Sequence, residues 1–369
     1  MPRTWIEVSR SLLQSNLTQI QDLIGTRTIL GAVVKANAYG HGIDLVSGVL
    51  SELDVRFFCV DSLEEALTLL SQGITAPILI MGYVPPEDFH RLEDPMRLCV
   101  YSQKSLDLLE ELHKSLKIHM KIETGLNRQG ISGENVPNLL KKLEASPALS
   151  LEGVYTHYAN VEDTLSSEFY KLQFVRFQEY THSISPAVLR HSCASAAALL
   201  YPDATQDLVR VGIALYGYYS SWQTLLSLKE RQRKVDLHPI LTWKTRIAQV
   251  KRIQKGDRVG YGCTHEALRK GKIAILPVGY YDGYDRRNGS QTHVLIRSTR
   301  APVIGRVAMN MIVVDVSHIP GVNSGDEVVL LGSQGRVSIA AEELAEAAGT
   351  IHYEVLTRIS SHLPRVLAD

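Results

Sequence analysis

One pattern constrains this chain more than any other. A short apolar, β-branched run, then turn residues, then a helical pattern, recurs eight times in about the first 210 residues. The candidate strands are 29–35, 56–60, 77–82, 96–100, 117–122, 149–157, 188–193 and 208–213. Helical spacing is clearest at 63–72 (LEEALTLLSQ) and 106–116 (LDLLEELHKSL), and Ser9 is placed to cap a helix from Arg10 to about Ile24, with Gly25 ending it. Strands that are apolar throughout belong in a parallel sheet with helices on both faces. Eight such units predict a (β/α)8 TIM-type barrel, because a doubly wound open sheet usually has fewer strands. In a barrel, chemistry sits at the C-terminal ends of the strands.

After Tyr218 the rhythm changes. Residues 222–239 are polar and read as an irregular linker, with KERQRK at 229–234 as its solvated face. From 240 to 369 the chain is a mostly β C-terminal domain with Gly and Pro turns and one helix near 340–348. The expected division is a barrel over 9–221, a linker over 222–239 and the β-rich domain over 240–369. The alternating stretch at 1–8 is a candidate to pair with that last domain.

Two domains suit 369 residues, and 45% hydrophobic with 21% charged residues is the profile of a globular protein. A formal net charge of zero argues against a nucleic-acid partner. Cys59, Cys99, Cys193 and Cys263 are scattered without metal-ligand or disulfide-like spacing, so no metal is expected and reduced thiols in the cytoplasm are the simplest reading. The stretch MPRTWIEVSR lacks a signal peptide's apolar core, and no apolar run reaches bilayer length, so no membrane partner is expected.

The first strand ends in AVVKANAYGHG, residues 32–42. An apolar strand carrying Lys35 at its tip puts an amine at the active-site face. In a partly dry mouth that amine's pKa falls enough for Schiff-base chemistry. A lone lysine there would read as a surface residue; the full string is far more specific. VKANAYGHG resembles the cofactor-lysine motif of alanine racemases, which are fold type III pyridoxal 5'-phosphate enzymes, and the likeness runs in order over nearly the whole chain. It implies that Lys35 carries the cofactor covalently and that Tyr39 binds its phosphate.

The same resemblance assigns further positions after successive strands. In KIETGLNRQG, Arg128 matches an arginine on the cofactor phenolic oxygen and the substrate carboxylate, and Lys121 a lysine often carbamylated in the family. His157 (GVYTHYA) resembles a histidine beside the pyridine ring, Ser195 (HSCASAAAL) a phosphate ligand, and Gly212 and Ile213 (LVRVGIALYG) backbone phosphate ligands. Arg210 matches an arginine facing the pyridine nitrogen. Arginine stays cationic and cannot take that nitrogen's proton, which disfavours a deep electron sink and favours racemisation over transamination.

In the β-rich domain DRVGYGCTH implies that Tyr261 is the second acid/base. Two proton carriers on opposite faces suit racemisation, Lys35 serving the D enantiomer and Tyr261 the L enantiomer. A free tyrosine titrates at about 10, so cationic neighbours must tune it; His157 and Arg286 are candidates. The resemblance implies a head-to-tail homodimer in which this tyrosine comes from the partner subunit. PVGYYDGYDRR implies Tyr280 at the substrate entrance, and GRVAMNM places the Met309 amide on the substrate carboxylate.

The chain departs from the family at Ala308–Asn310, at Ala194, and at Ser361, where many relatives carry a tyrosine. Serine there enlarges the pocket and adds a hydroxyl, so serine is a plausible second substrate beside alanine. The expected function is interconversion of L- and D-alanine, which would supply peptidoglycan in a bacterial host. The alternatives are a broader-specificity racemase, a fold type III decarboxylase, which would want an acidic group where Arg210 stands, and a non-catalytic cofactor carrier, which would lack the β domain.

Overall fold

The computed structural model describes residues 2–369. They form two compact units: Ser11–Ala38 with Val46–His238, and residues up to Arg10 with Tyr39–Leu45 and Pro239–Asp369.

After β1 (Thr4–Ser9), eight parallel strands build the larger unit: β2 (Ile29–Val33), β3 (Phe58–Val60), β4 (Ile78–Ile80), β5 (Met96–Val100), β6 (Leu116–Lys121), β7 (Leu149–Tyr155), β8 (Leu189–His191) and β9 (Leu208–Val211). Each pairs with the next in sequence, and β9 returns to β2 with Ile29 opposite Leu208. The β8–β9 seam closes through Arg210 N to Cys193 O at 3.0 Å and Asp207 N to Arg190 O at 3.0 Å. This is the TIM-type barrel expected from the strand count. β3, β4 and β5 are buried at every residue, as strands covered on both faces must be.

Several local expectations are corrected. Helical spacing suggested 106–116, but the helix is Gln103–Glu110. Ser102 accepts a hydrogen bond from Ser105 N and so sets the start, and the chain turns at His113 (φ 51°) to let Leu116 open β6. Trp222–Glu230 is a helix, not irregular linker: Ser221 caps it by accepting from Thr224 N at 3.0 Å, a local signal that the polar composition of the segment hid. The leading helix, by contrast, spans Arg10–Ile24 as expected, with Gly25 (φ 76°) after it and Ser9, the end of β1, directly before it; the Ser9 hydroxyl donates to the Asp369 carboxylate.

The first barrel strand stops at Val33, two residues short of Lys35. Ala36, Asn37, Ala38 and Tyr39 then run in a left-handed turn with φ of 53°, 55°, 51° and 52°. Such a conformation costs L-residues roughly 1–2 kcal/mol each, so it persists only where surroundings dictate it. Ala38 N donates to Val34 O at 2.8 Å, and Ala36 N donates to the Glu65 carboxylate at 2.6 Å.

In the other unit the strands are β10 (Leu241–Arg246), β11 (Gln249–Ile253), β12 (Arg258–Val259), β13 (His265–Glu266), β14 (Gly271–Leu276), β15 (His293–Ile296), β16 (Thr299–Ile304), β17 (Ile312–Asp315), β18 (Glu327–Gln334), β19 (Val337–Ile339) and β20 (Arg365–Ala368). β1 lies inside this sheet, antiparallel to β10 and parallel to β20. The Thr4 and Thr245 hydroxyls meet at 2.9 Å across the first pair. Trp243 is fully buried and packs near Tyr284, ring centroids 6.0 Å apart.

Gly40 also belongs to this unit. Its φ is +85°, and a Cβ there would lie 2.0 Å from the Leu356 carbonyl oxygen. Its own carbonyl accepts from Arg365 Nη2 at 2.9 Å. Gly40→Ala is therefore expected to destabilise the protein by about 2 kcal/mol or more, read as a lower urea midpoint. An unchanged midpoint would show that the backbone here yields freely. Among the described residues no helix is long and apolar enough to cross a membrane.

Candidate active site

The barrel mouth gathers eight of the residues singled out in the sequence. Lys35 follows β2 directly, and its Nζ lies 3.2 Å from Asp61 Oδ1 in the loop after β3. Glu65, three residues past the capping Ser62, holds both loops: one oxygen accepts from Ala36 N, the other from Asp61 N at 2.8 Å. Asp61 and Glu65 were not singled out in the sequence, although the Ser-x-x-Glu capping box is legible there.

Lys121 ends β6, buried, with Nζ 3.5 Å from Gln129 and 5.7 Å from the Tyr155 ring centroid. Burial, then the positive charges of Arg128 and Arg210, pull its pKa down. The following loop is folded around Glu123. Burial pushes that carboxyl up, but the backbone amides of Asn127, Gly125, Arg128 and Leu126 outweigh this and hold it below its ordinary value. Arg128 projects from that loop and is exposed.

Arg210 in β9 is buried at 3% exposure. Nη1 donates to His191 Nδ1 at 2.8 Å and to His191 O at 3.0 Å; Nη2 donates to Thr156 O at 2.8 Å and Ser192 O at 3.4 Å. The guanidinium carbon sits 4.9 Å from the Tyr155 ring centroid. Every one of these bonds uses a terminal nitrogen, which leaves Nε–H available. His157 Nδ1 is 3.5 Å from Nη2. Burial first, then the cations Arg210, Arg128, Lys121 and Lys35, push the His157 imidazole down to about 3. Four positive charges thus crowd His157 and favour its neutral form. Ser195 opens the helix Ser195–Leu200, and its Oγ accepts from Gly212 N at 3.1 Å and Ala214 N at 3.4 Å, with Ile213 buried between them.

His119 and His191 are fully buried and His157 is half-buried, and all three have depressed pKa values, desolvation being the main cause for each. The unfolded chain takes up protons on them below about 6.5 while the folded chain does not, so stability falls as pH drops through that value. Between pH 7.5 and 5.5 the loss should be roughly 1 kcal/mol each for His157 and His191, and smaller for His119, whose depression the Glu152 carboxylate opposes. Urea midpoints at the two pH values check this; equal midpoints would mean the rings accept protons in the fold.

The remaining residues lie in the β-rich unit. Tyr39 faces Tyr353, ring centroids 6.2 Å apart. Tyr280, Arg286 and Met309 come together: the Arg286 guanidinium is 6.0 Å from the Tyr280 ring centroid, Tyr280 N donates to Ala308 O, and Tyr281 N to Met309 O. Gly279 allows this approach, since a Cβ on it would sit 2.3 Å from Ala308 O. Tyr261 starts a short 3-10 turn and is 69% exposed; Gly262 beside it rests on the Arg306 guanidinium. Among the described residues its hydroxyl has no hydrogen bond joining it to the Tyr280 group. Ser361 is exposed.

The sequence and fold match a characterised group of enzymes. The sequence profile of the alanine racemase N-terminal domain matches residues 8–220, and that of its C-terminal domain matches residues 240–367. The chain belongs to the alanine racemase family. An alanine racemase of Leptospira interrogans is 38% identical over 379 aligned residues, covering 99% of this chain and 96% of the relative. The alanine racemase of Bacillus anthracis, solved with bound L-Ala-P, superposes with a TM-score of 0.92 at 34% identity, covering 100% of this chain and 96% of the other. A histidine racemase from Leuconostoc mesenteroides is also similar, with a TM-score of 0.90 at 28% identity, covering 100% and 98%. The alanine racemase family is one of isomerases, and this member is a racemase.

Proposed function

We propose that this alanine racemase family member interconverts L- and D-alanine with pyridoxal 5'-phosphate held at Lys35. The observation that carries the reading is Arg210, a buried arginine with Nε–H uncommitted and, among the described residues, no carboxylate hydrogen-bonded to it. The donor set of the barrel mouth fits the cofactor: an amine for its aldehyde, a hydroxyl ringed by backbone amides for its phosphate, and a permanent cation for its ring nitrogen. Bound pyridoxal phosphate supplies an electron sink that makes the substrate's α C–H acidic.

In this reading Lys35 carries the cofactor, and Tyr39, Ser195, Gly212 and Ile213 take the phosphate. Arg210 faces the ring nitrogen and, unable to accept its proton, keeps the sink shallow. Arg128, Tyr280 and the Met309 amide orient the substrate, and neutral His157 flanks the ring. Lys121, buried and with a lowered pKa, suits carbamylation by CO2, which would give Arg128 an anionic partner. Lys35 moves the proton on one face of the α-carbon and Tyr261 of the partner subunit on the other, so a homodimer is needed for turnover. Arg286 and His157 are the candidates to tune that tyrosine. In a bacterial host the product D-alanine would feed peptidoglycan, and the cytoplasm is the fitting compartment.

The test is incubation with a panel of L-amino acids followed by chiral chromatography. Alanine is expected to reach an equal mixture of enantiomers, without pyruvate or CO2. Ser361 favours a second reading in which serine is also accepted. A kcat/KM for L-serine below about one-thousandth of that for L-alanine ends it, since a site discriminates an added hydroxyl only modestly unless built to exclude it.

A further inference from the structure

Arg210 is the end of a hydrogen-bonded chain that runs down inside the barrel. Its Nη1 donates to His191 Nδ1 at 2.8 Å. His191 Nε2 lies 2.8 Å from His119 Nδ1, and His119 Nε2 lies 3.2 Å from Glu152 Oε2. Both imidazoles are at 0% exposure. At the far end Glu152 also accepts from Arg97 Nε at 2.7 Å and pairs with Lys117 Nζ at 3.0 Å.

The chain has one polarity. Arginine can only donate, so His191 Nδ1 must accept and its proton sits on Nε2. That proton can go only to His119 Nδ1, so His119 in turn carries its proton on Nε2 and gives it to the carboxylate. Every donor points from Arg210 toward Glu152, an order in which successive bonds polarise one another.

The backbone makes room for this arrangement. The β6–β7 register shifts between Ile118 and His119, an irregularity of the kind that re-aims a side chain. His119 stands opposite Gly153, and a Cβ at Gly153 would lie 2.4 Å from His119 Nδ1. A glycine in mid-strand weakens a sheet unless something approaches closely, and here the approaching group is the imidazole. Tyr155 stacks on His191, centroids 4.7 Å apart and planes 14° from parallel, and covers Arg210 with the same ring.

We propose that His119 is a positioning residue for Arg210, transmitting the Glu152 carboxylate through His191 so that the guanidinium is held in one plane with Nε–H left for the cofactor ring. This rests on the functional reading above for its last step, but the hydrogen-bond polarity does not.

The experiment is ring-15N-histidine NMR on the purified full-length protein at neutral pH, with His119 and His191 assigned from single variants. Both rings are expected to be neutral with the proton on Nε2, and those protons should appear downfield and exchange slowly. A proton on Nδ1 of either ring, or a doubly protonated ring, overturns the proposal, whatever the enzyme acts on. His119→Phe keeps a flat ring but breaks the chain. It is expected to lower kcat about 10- to 100-fold with KM little changed, and to shift the visible absorption of the bound cofactor. His119→Gln, which retains an acceptor toward His191 and a donor toward Glu152, should recover most of both. A His119→Phe enzyme with normal kcat and an unmoved band also overturns the proposal. Should that variant not fold, Glu152→Gln removes the charge while keeping an acceptor. It is then expected to move the His119 Nε2 proton upfield and reduce kcat several-fold, and no change in either decides against the proposal.

Discussion

Lys35→Ala should yield a folded protein with no measurable racemase activity and no borohydride-reducible link to pyridoxal phosphate. The amine is at once the cofactor's attachment and one of the two proposed proton carriers. Its loss should therefore cost more than the roughly 10²–10⁴-fold typical of a single acid/base group. The fold should survive. The one charge pair removed, with Asp61, has side chains 38% and 57% exposed. Such pairs are worth about 0–1 kcal/mol. The left-handed turn that follows is held by backbone bonds to Val34 and Glu65, not by the lysine side chain. Circular dichroism, borohydride reduction with peptide mapping, and chiral assay check the three parts separately. A reducible link that persists in the variant would place the attachment elsewhere and remove the basis of the functional reading.

Tyr261→Phe should keep the cofactor link while turnover falls by roughly 10²–10⁴-fold. Its side chain is 69% exposed in this chain and its hydroxyl is not part of any packed network, so stability should be unaffected. The two enantiomers should then behave differently in deuterated water. D-alanine, served by Lys35, should still exchange its α-hydrogen without changing hand, while L-alanine should do neither. Near-normal racemisation by this variant would defeat the assignment of two proton carriers.

The barrel was legible because its strands are apolar throughout: residues such as Phe58–Val60 and Ile78–Ile80 cannot sit at a surface, and helical spacing lies between them. The ends of elements were less legible. A left-handed turn from Ala36 to Tyr39 has no compositional signature, since alanine and tyrosine are not residues that favour positive φ. The helix Trp222–Glu230 was hidden by a polar stretch whose capping Ser221 is a single-residue signal. Among candidate site residues, those in strings such as VKANAYGHG announced themselves. Asp61 and His119 did not, because each acts through a partner distant in sequence, and the capping box that contains Glu65 marks a helix start but not a site.

The place of β1 has a bearing on how the polypeptide is made. It precedes every barrel strand in the chain, yet the strands on either side of it, β10 and β20, begin at Leu241 and Arg365. The β-rich unit cannot complete its sheet until β20 has been made, whereas all the barrel strands have been made by Val211. A fragment starting at Pro239 would leave two strand edges facing a gap, and exposed edges of that kind recruit other chains. Proteolysis near Pro239 should therefore release a barrel-sized piece and an aggregating remainder unless the short strand β1 stays bound, so that this strand acts as a clasp on β10 and β20.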